Sequence, residues 1–254
     1  MPRYRLLIEY DGSAYQGWQR QETGPSVQAA IEQAIVELSG QTAPVFCAGR
    51  TDAGVHALGQ VAHVDLARNW RIEQIRMGLN SKLADHPIAI LRVEQTTDAF
   101  HARFDATARH YLYRISNRRS PPALDRKRVW HHPLPLDIEA MHEAAQGLLG
   151  HHDFTSFRAS QCQAKSPLKT LDHAYVRRHD DEIHLRFRAR SFLHNQVRAM
   201  TGTLVEVGAH RRPITAIAEI LAAKDRTKAG QNAPPHGLYL VKVDYPADAA
   251  ASGA

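Results

Sequence analysis

The sequence predicts an α+β protein made of two units that each mix strands and helices. Segments with strand and helix patterns alternate along the 254-residue chain, a length that suits one large domain or two small ones. The same order of elements recurs in the second part. The charge balance also changes: residues 1–105 carry 10 basic and 12 acidic side chains, whereas residues 106–254 carry 22 and 14. We therefore predict an N-terminal half over residues 1–105, a C-terminal half over 106–246, and a disordered tail over 247–254.

In the first half, a helix is delimited by Ser26, a candidate N-cap, and by Gly40 at its end. Between them, apolar residues recur at the spacing of one helix face. A second helix is predicted over residues 72–79. Strand patterns cover residues 4–10, 45–48, 60–65 and 88–93.

The second half repeats this order. A strand is predicted over residues 111–115, followed by a loop rich in Pro and Arg over 117–128. Apolar spacing predicts a helix from Ile138 that ends at Gly150, and a hairpin over residues 171–177 and 183–189 turns at 179–181. Helices are predicted over 193–207 and 214–223, and a final strand over 238–243.

Composition narrows the class of protein. No apolar run approaches the roughly 20 residues of a membrane helix, and the first residues resemble neither a signal nor a transit peptide. Cys47 and Cys162 are far apart, which favours a reducing cytoplasm over a disulfide framework. The net charge is +6 with a pI near 9.5, and the arginine-rich basic excess of the second half indicates a polyanionic partner such as nucleic acid.

The segment GRTDAGVHA, residues 49–57, follows a short apolar strand and contains Arg50, Asp52 and His56. Its glycines permit a tight loop, and loops held on a rigid scaffold commonly carry catalytic side chains. Asp beside Gly is also ordinary turn chemistry. From these residues alone, Asp52 is either a catalytic carboxylate or a turn residue.

Seven segments, read in order, resemble the tRNA pseudouridine synthase A family. They are YDGSAYQGWQRQ (10–21), CAGRTDAGVHALGQVAHVD (47–65), FHARFDATARHYLYRI (100–115), DFTSFRASQCQAKSP (153–167), FLHNQVRAMTGTLVEVG (192–208), LAAKDRTKAG (221–230) and GLYLVKVDYP (237–246). They cover nearly the whole chain. The fifth segment departs from the usual family motif, with Gln196 in place of Met and Ala199 in place of Asn.

The resemblance implies a fold and an activity. The fold would be two ferredoxin- or RRM-like halves that form a continuous, mostly antiparallel sheet with helices on one side and an active-site cleft between the halves. The activity would be isomerisation of uridine to pseudouridine around positions 38 to 40 of the tRNA anticodon stem-loop, after the base is flipped out. The family is a homodimer and uses no cofactor and no metal.

The resemblance also implies roles for five residues. Asp52 would be the catalytic carboxylate, acting as a nucleophile at C1′, as a base on a sugar proton, or by stabilising positive charge at C1′. Tyr111 would stack on the flipped base, Arg50 would help to extrude it, Arg198 would pair with the aspartate, and Leu238 would line the uracil pocket. Tyr113 is expected to be a core residue, and His56 to support the loop.

Two other classes of function remain as alternatives. A non-catalytic, basic RNA-binding protein would share the basic half but would not need Asp52. A metallohydrolase would need convergent ligands, and the 16 histidines show no His-x-x-x-His pair with a partner acid. Scattered histidines are therefore the preferred interpretation.

Overall fold

The computed structural model describes residues 1–247, so the predicted tail lies outside the described residues except for Ala247. The α+β class is confirmed, and the strand pairs whose register is given are antiparallel with one exception. The chain forms two compact units. Unit 1 contains residues 1–109 and the described residues from Leu240 to Ala247, and unit 2 contains residues 110–239. Residues 240–246, assigned to the second half from the sequence, thus belong to unit 1, where the last strand returns.

Unit 1 is built on a sheet with the strand order β4-β1-β3-β10. Its strands are β1 (Arg3–Tyr10), β3 (His56–Asp65), β4 (Ile88–Thr96) and β10 (Leu238–Asp244), of which the residues from Leu240 on belong to this unit. The short strand β2 (Phe46–Cys47) pairs with β3. Alternate residues of β1, from Tyr4 to Tyr10, are buried, the pattern of a strand with one face toward the core.

Two helices of unit 1 agree with the sequence prediction. Helix α1 (Val27–Ser39) begins where the Ser26 hydroxyl accepts a hydrogen bond from the Ala29 N–H at 3.2 Å, and it ends at Gly40, whose φ of +71° is left-handed. Helix α2 (Ile72–Lys82) extends one turn beyond its predicted end. Ile31 and Ile35 of α1 and Ile75 of α2 are buried in the core.

Unit 2 has the strand order β5-β9-β8-β7. These strands are β5 (Ala108–Ser116), β7 (Gly150–Asp153), β8 (Leu168–His179) and β9 (Glu182–Ala189), and β6 (Trp130–His131) pairs parallel with β5. The predicted hairpin is confirmed, since β8 and β9 pair from Leu171↔Ala189 to His179↔Glu182. Strands β6 and β7 were not predicted.

Three helices pack in unit 2: α3 (Ile138–Gln146), α4 (Gln196–Gly208) and α5 (Ala216–Ala223). The prediction that α3 continues to Gly150 is wrong, because the chain turns after Gln146 and residues 150–153 form β7. Helix α3 also covers an open stretch of the edge of β8. There His142 Nδ1 accepts the Val176 N–H at 3.3 Å and the Gln146 amide donates to the Ala174 carbonyl at 3.1 Å, which satisfies backbone groups that a strand edge would leave unpaired.

Residues 1–247 contain no helix with both the length and the apolarity needed to cross a membrane. Cys47 and Cys162 are both free thiols.

Candidate functional site

The Asp52 turn is a tight reversal between β2 and β3. The Val55 N–H donates to the Asp52 carbonyl at 3.1 Å, and Gly54 has a φ of +75°, which a glycine adopts without strain. Asp52 is partly buried and Arg50 is exposed. The turn therefore holds the Asp52 backbone in one position and carries the side chains of Arg50 and Asp52 two residues apart in the chain.

Hydrogen bonds from residues 10–18 hold this turn on both sides of Asp52. The Trp18 N–H donates to the Thr51 carbonyl at 3.0 Å, and the Gly54 N–H donates to the Tyr15 carbonyl at 3.3 Å. The Tyr10 hydroxyl lies 2.7 Å from the Thr51 hydroxyl in the buried interior. The segment 10–21, which was noticed only as a resemblance, thus forms the support of the Asp52 turn.

Two glycines of this support allow its backbone to approach the turn closely. Gly17 has a φ of +100°, and a methyl group there would lie 2.5 Å from the Thr51 carbonyl oxygen. A methyl group on Gly12 would collide with the Val55 carbonyl oxygen. Thr51 and Val55 flank the Asp52-Ala53-Gly54 stretch, so side chains at either glycine would displace one end of the turn.

Two buried polar side chains fix the chain just before the turn. Gln60 of β3 is fully buried, and its amide donates to the Gly49 carbonyl at 2.6 Å and accepts the Gly49 N–H at 3.3 Å. The buried guanidinium of Arg109 donates to the Ala48 carbonyl at 2.7 Å and to the Arg103 carbonyl at 2.7 Å. Buried polar groups need such partners, and here the partners are the backbone of the candidate site.

His56 is buried at the start of β3. Its Nδ1 accepts the Gly12 N–H at 3.0 Å and lies 3.2 Å from Asp11 Oδ1. The ring therefore ties the support segment to the chain that leaves the turn, which agrees with the supporting role expected from the sequence.

In unit 2, Tyr111 lies on β5 and is partly exposed. Its ring is perpendicular to the Phe192 ring, with 5.1 Å between centroids. Tyr113, as expected, is a core residue: it is fully buried, its hydroxyl donates to the Pro234 carbonyl at 2.6 Å, and burial raises its pKa. Leu238 is buried at the first position of β10, directly after Gly237, where a methyl group would lie 2.7 Å from the Tyr113 ring.

Arg198 lies in the first turn of α4 and is partly buried. Its Nε donates to the Ala233 carbonyl at 2.8 Å, and its Nη1 donates to Asn195 Oδ1 at 2.9 Å. Its positive charge acts to lower the pKa of the Tyr113 hydroxyl, against the larger effect of burial. Arg198 is therefore held in a fixed orientation, unlike a solvated charge on a helix surface.

Close packing between α4 and the segment 225–234 creates the position of Ala233. A methyl group on Gly202 would collide with the Gln231 carbonyl oxygen. The Thr203 hydroxyl accepts the Gly230 N–H at 2.9 Å and donates to the Ala199 carbonyl at 2.9 Å. The two residues of α4 that differ from the usual family motif are both buried. The Ala199 carbonyl accepts the Thr203 hydroxyl, and the Gln196 side chain accepts the Leu193 N–H at 2.8 Å.

The five predicted site residues divide between the units. Arg50 and Asp52 share one turn of unit 1, and Tyr111, Arg198 and Leu238 belong to unit 2. Sequence reasoning missed the roles of Gln60 and Arg109. For Gln60, a polar residue within a mostly apolar strand was the available signal, although it did not reveal the backbone groups that the side chain binds.

Within the described part of the chain, no three His, Cys, Asp or Glu side chains are grouped so that they could hold a metal ion. The buried ring of His63 is engaged in packing: its Nδ1 accepts the Ala102 N–H at 3.1 Å, and burial, the main cause, lowers its pKa to about 4.

Comparison with known proteins places these features in context. A family model described as tRNA pseudouridine synthase matches residues 6–105 and 144–246. The chain is 59% identical over 247 residues to tRNA pseudouridine synthase A from Brucella ovis, Brucella canis and Brucella melitensis biotype 2, a span of 96% of this chain and 98% of each relative. Both matches include the Asp52 turn, its support segment and α4.

Proposed function

Because the chain belongs to the tRNA pseudouridine synthase family, we propose that it is a tRNA pseudouridine synthase in which Asp52 is the catalytic carboxylate. The observation that carries the assignment of Asp52 is its turn, which is fixed from both sides by backbone hydrogen bonds and has two glycines at the points of contact. A catalytic group has to be held in place before the substrate arrives. An ordinary surface turn has no need of such support.

The reaction is an isomerisation, so all atoms of the uracil remain. The C1′–N1 bond breaks, the base rotates, and C1′ bonds to C5. The proton of C5 leaves and N1 gains a proton. One ionised carboxylate is sufficient, as nucleophile at C1′, as base on a sugar proton, or as the charge that stabilises C1′. A second carboxylate, as in glycosidases, is not needed because no water enters.

We propose the anticodon stem-loop, around positions 38 to 40, as the region of the tRNA that is modified. A uridine there is stacked and must be extruded, which costs a few kcal/mol. Tyr111 is the proposed stacking residue, which would return about 1–3 kcal/mol. Arg50 is proposed to assist extrusion, Leu238 to line the uracil pocket, and Arg198 to be the cationic partner of the carboxylate.

The experiment that tests this function is a pair of measurements on the purified protein. Asp52→Asn keeps the size of the side chain and removes its charge, so we expect pseudouridine formation in tRNA to be abolished. The free energy of tRNA binding should change by less than about 1 kcal/mol. Full activity of the variant would remove Asp52 from the mechanism. If the wild-type protein bound tRNA and formed no pseudouridine, the non-catalytic RNA-binding alternative would stand instead.

Mapping of pseudouridine in cellular tRNA tests which positions of the anticodon stem-loop are modified. Loss of the gene for this chain should remove pseudouridine from positions 38 to 40 and leave pseudouridine elsewhere in the same tRNAs. Persistence of all three would refute the proposed region. We further propose that the protein acts in the cytoplasm as a homodimer, and sedimentation analysis of the purified chain would give the mass expected of two copies.

A further inference from the structure

Unit 1 carries an exposed aromatic patch that Arg109 ties to the chain just before the Asp52 turn. The Phe104 patch, as we name it, comprises Phe46, His101, Arg103 and Phe104. Phe104 is 68% exposed and Phe46 is 46% exposed, although both are large apolar residues. Exposed aromatic side chains that lie together, rather than singly, indicate a binding surface for a ligand or a macromolecule.

The rings of the patch form a fixed series. Phe46 lies nearly parallel to the buried ring of His63, with 5.2 Å between centroids, and 5.9 Å from His101. His101 in turn lies 4.3 Å from Phe104. His63 is held from below by the Ala102 N–H. The exposed faces are therefore preorganised, which lowers the entropy lost when a flat ligand stacks on them.

The patch is also cationic. The guanidinium carbon of Arg103 lies 5.7 Å from the centroid of the Phe104 ring. Burial raises the pKa of the Cys47 thiol to about 12, and the charges of Arg50 and Arg103 both act to lower it. Both guanidinium groups thus lie near the thiol of the residue that follows Phe46. Aromatic rings interleaved with arginines are typical of surfaces that bind single-stranded nucleic acid.

The distance to Asp52 is limited by the chain itself. Arg109 joins the Arg103 carbonyl to the Ala48 carbonyl, each at 2.7 Å. Asp52 follows Ala48 by four residues, which span at most about 14 Å. Together these limits keep the backbone beside the patch within about 20 Å of the Asp52 backbone, a distance that a short run of nucleotides can bridge.

We propose that the Phe104 patch stacks an unpaired base of the tRNA close to the target uridine, with Arg103 contacting the phosphate beside it. This inference rests on the proposed function and adds to it a contact that recognises the RNA around the target. Phe104 is the main stacking ring because it is the most exposed member, and Arg103 lies over it. The patch binds and positions RNA and takes no part in bond making.

Variants of Phe104 give the first test. Phe104→Leu keeps an apolar side chain and removes the flat ring, so we expect kcat/KM for tRNA to fall about 5- to 150-fold, the range for one stacked base. Phe104→Trp should restore it. Tyr175→Leu is the matched control, because Tyr175 is 37% exposed on β8 and outside the patch; its kcat/KM should stay within twofold of wild type.

Abasic RNA gives the second test and needs no altered protein. In anticodon stem-loops from which the unpaired bases near the target are removed one at a time, one abasic position should lower kcat/KM by the same factor as Phe104→Leu. Phe104→Leu with that RNA should show no further loss, because both changes remove the same contact. Independent, multiplicative losses would overturn the proposal.

The outcomes distinguish failure of the proposed function from failure of the proposed role of the Phe104 patch. Wild-type protein that forms no pseudouridine would refute the proposed function. Wild-type activity with an unchanged Phe104→Leu variant would refute only the patch. A Phe104→Leu variant that loses self-association in sedimentation, while its kcat/KM for RNA is unchanged, would identify the patch as a protein interface and would also overturn the proposal.

Discussion

Gly17 offers a test of whether the support of the Asp52 turn is needed for catalysis. Gly17→Ala introduces a single methyl group 2.5 Å from the Thr51 carbonyl oxygen, at a φ of +100°. An alanine in a left-handed conformation costs about 1–2 kcal/mol. The contact must also open by about 1 Å to reach ordinary van der Waals separation, and the Thr51 carbonyl precedes Asp52 directly.

The expected effect on rate follows from that displacement. A catalytic group displaced by about 1 Å can lose roughly 10²-fold in rate, which corresponds to about 2.7 kcal/mol of activation free energy. We therefore expect the single-turnover rate of pseudouridine formation to fall about 100-fold. The Kd for tRNA should change by less than threefold, because the variant leaves the charged surface intact.

Gly40→Ala is the matched control for Gly17→Ala. Gly40 also has a left-handed φ, +71°, but a methyl group there would have no neighbour within 4 Å. Both variants should lose about 1–2 kcal/mol of unfolding free energy from backbone strain, and only Gly17→Ala should lose rate. If the two variants had single-turnover rates within threefold of each other, close support of the turn would have no part in catalysis.

Two further predictions concern buried polar groups of unit 1. Gln60→Leu leaves the N–H and carbonyl of Gly49 without the side chain that binds both, so the free energy of unfolding in urea should fall by about 2–4 kcal/mol. The exposed control Gln33→Leu should lose less than about 0.5 kcal/mol. Equal losses in the two variants would contradict a structural role for the Gln60 amide. Burial lowers the pKa of His63 to about 4 from an ordinary 6.5, so between pH 6.5 and 4 the unfolded chain binds a proton that the folded chain does not. The free energy of unfolding should therefore fall by about 3 kcal/mol as the pH is lowered through that window. His63→Asn, whose amide oxygen can accept the Ala102 N–H, should lose this part of the dependence in urea titrations at pH 7 and pH 4.5, and an unchanged slope would show that other groups cause it.

Elements with local signals were predictable from the sequence. The limits of α1 follow from Ser26 and Gly40, because a capping hydroxyl and a left-handed glycine act within one turn of the helix. The β8–β9 hairpin was predictable for the same reason, since its turn residues lie between two alternating strands. These features depend on neighbours in the chain and need no knowledge of the rest of the fold.

Elements decided by distant contacts were not predictable. The apolar residues Leu148 and Leu149 extended the helical pattern of α3 to Gly150, yet the chain turns after Gln146 and pairs with β8 at residues 150–153. Strand β6 has only two residues and exists through its parallel pairing with β5. In both cases the pairing strand determines the structure, and the local sequence pattern does not reveal which strand that is.

The candidate site shows the same division. The GRTDAGVHA segment indicated a tight, charged turn, and its relation to the family gave Asp52 a role. The physical reasons for the glycines at 12 and 17 were not accessible, because they are contacts with Val55 and Thr51. A glycine that permits a left-handed turn and a glycine that makes room for another backbone look the same in a sequence.

Arg109 shows why such long-range support suits this site. Its single guanidinium binds carbonyl oxygens of Ala48, Arg103 and Ala106 at 2.7, 2.7 and 3.1 Å. A carbonyl oxygen cannot leave a buried cationic donor without a cost of a few kcal/mol, so the chain before the Asp52 turn and the chain beside Phe104 are held to the same point. The proposed catalytic carboxylate and the proposed stacking surface would need a fixed separation to act on the same RNA, and a shared buried donor provides it more firmly than two independent loops would.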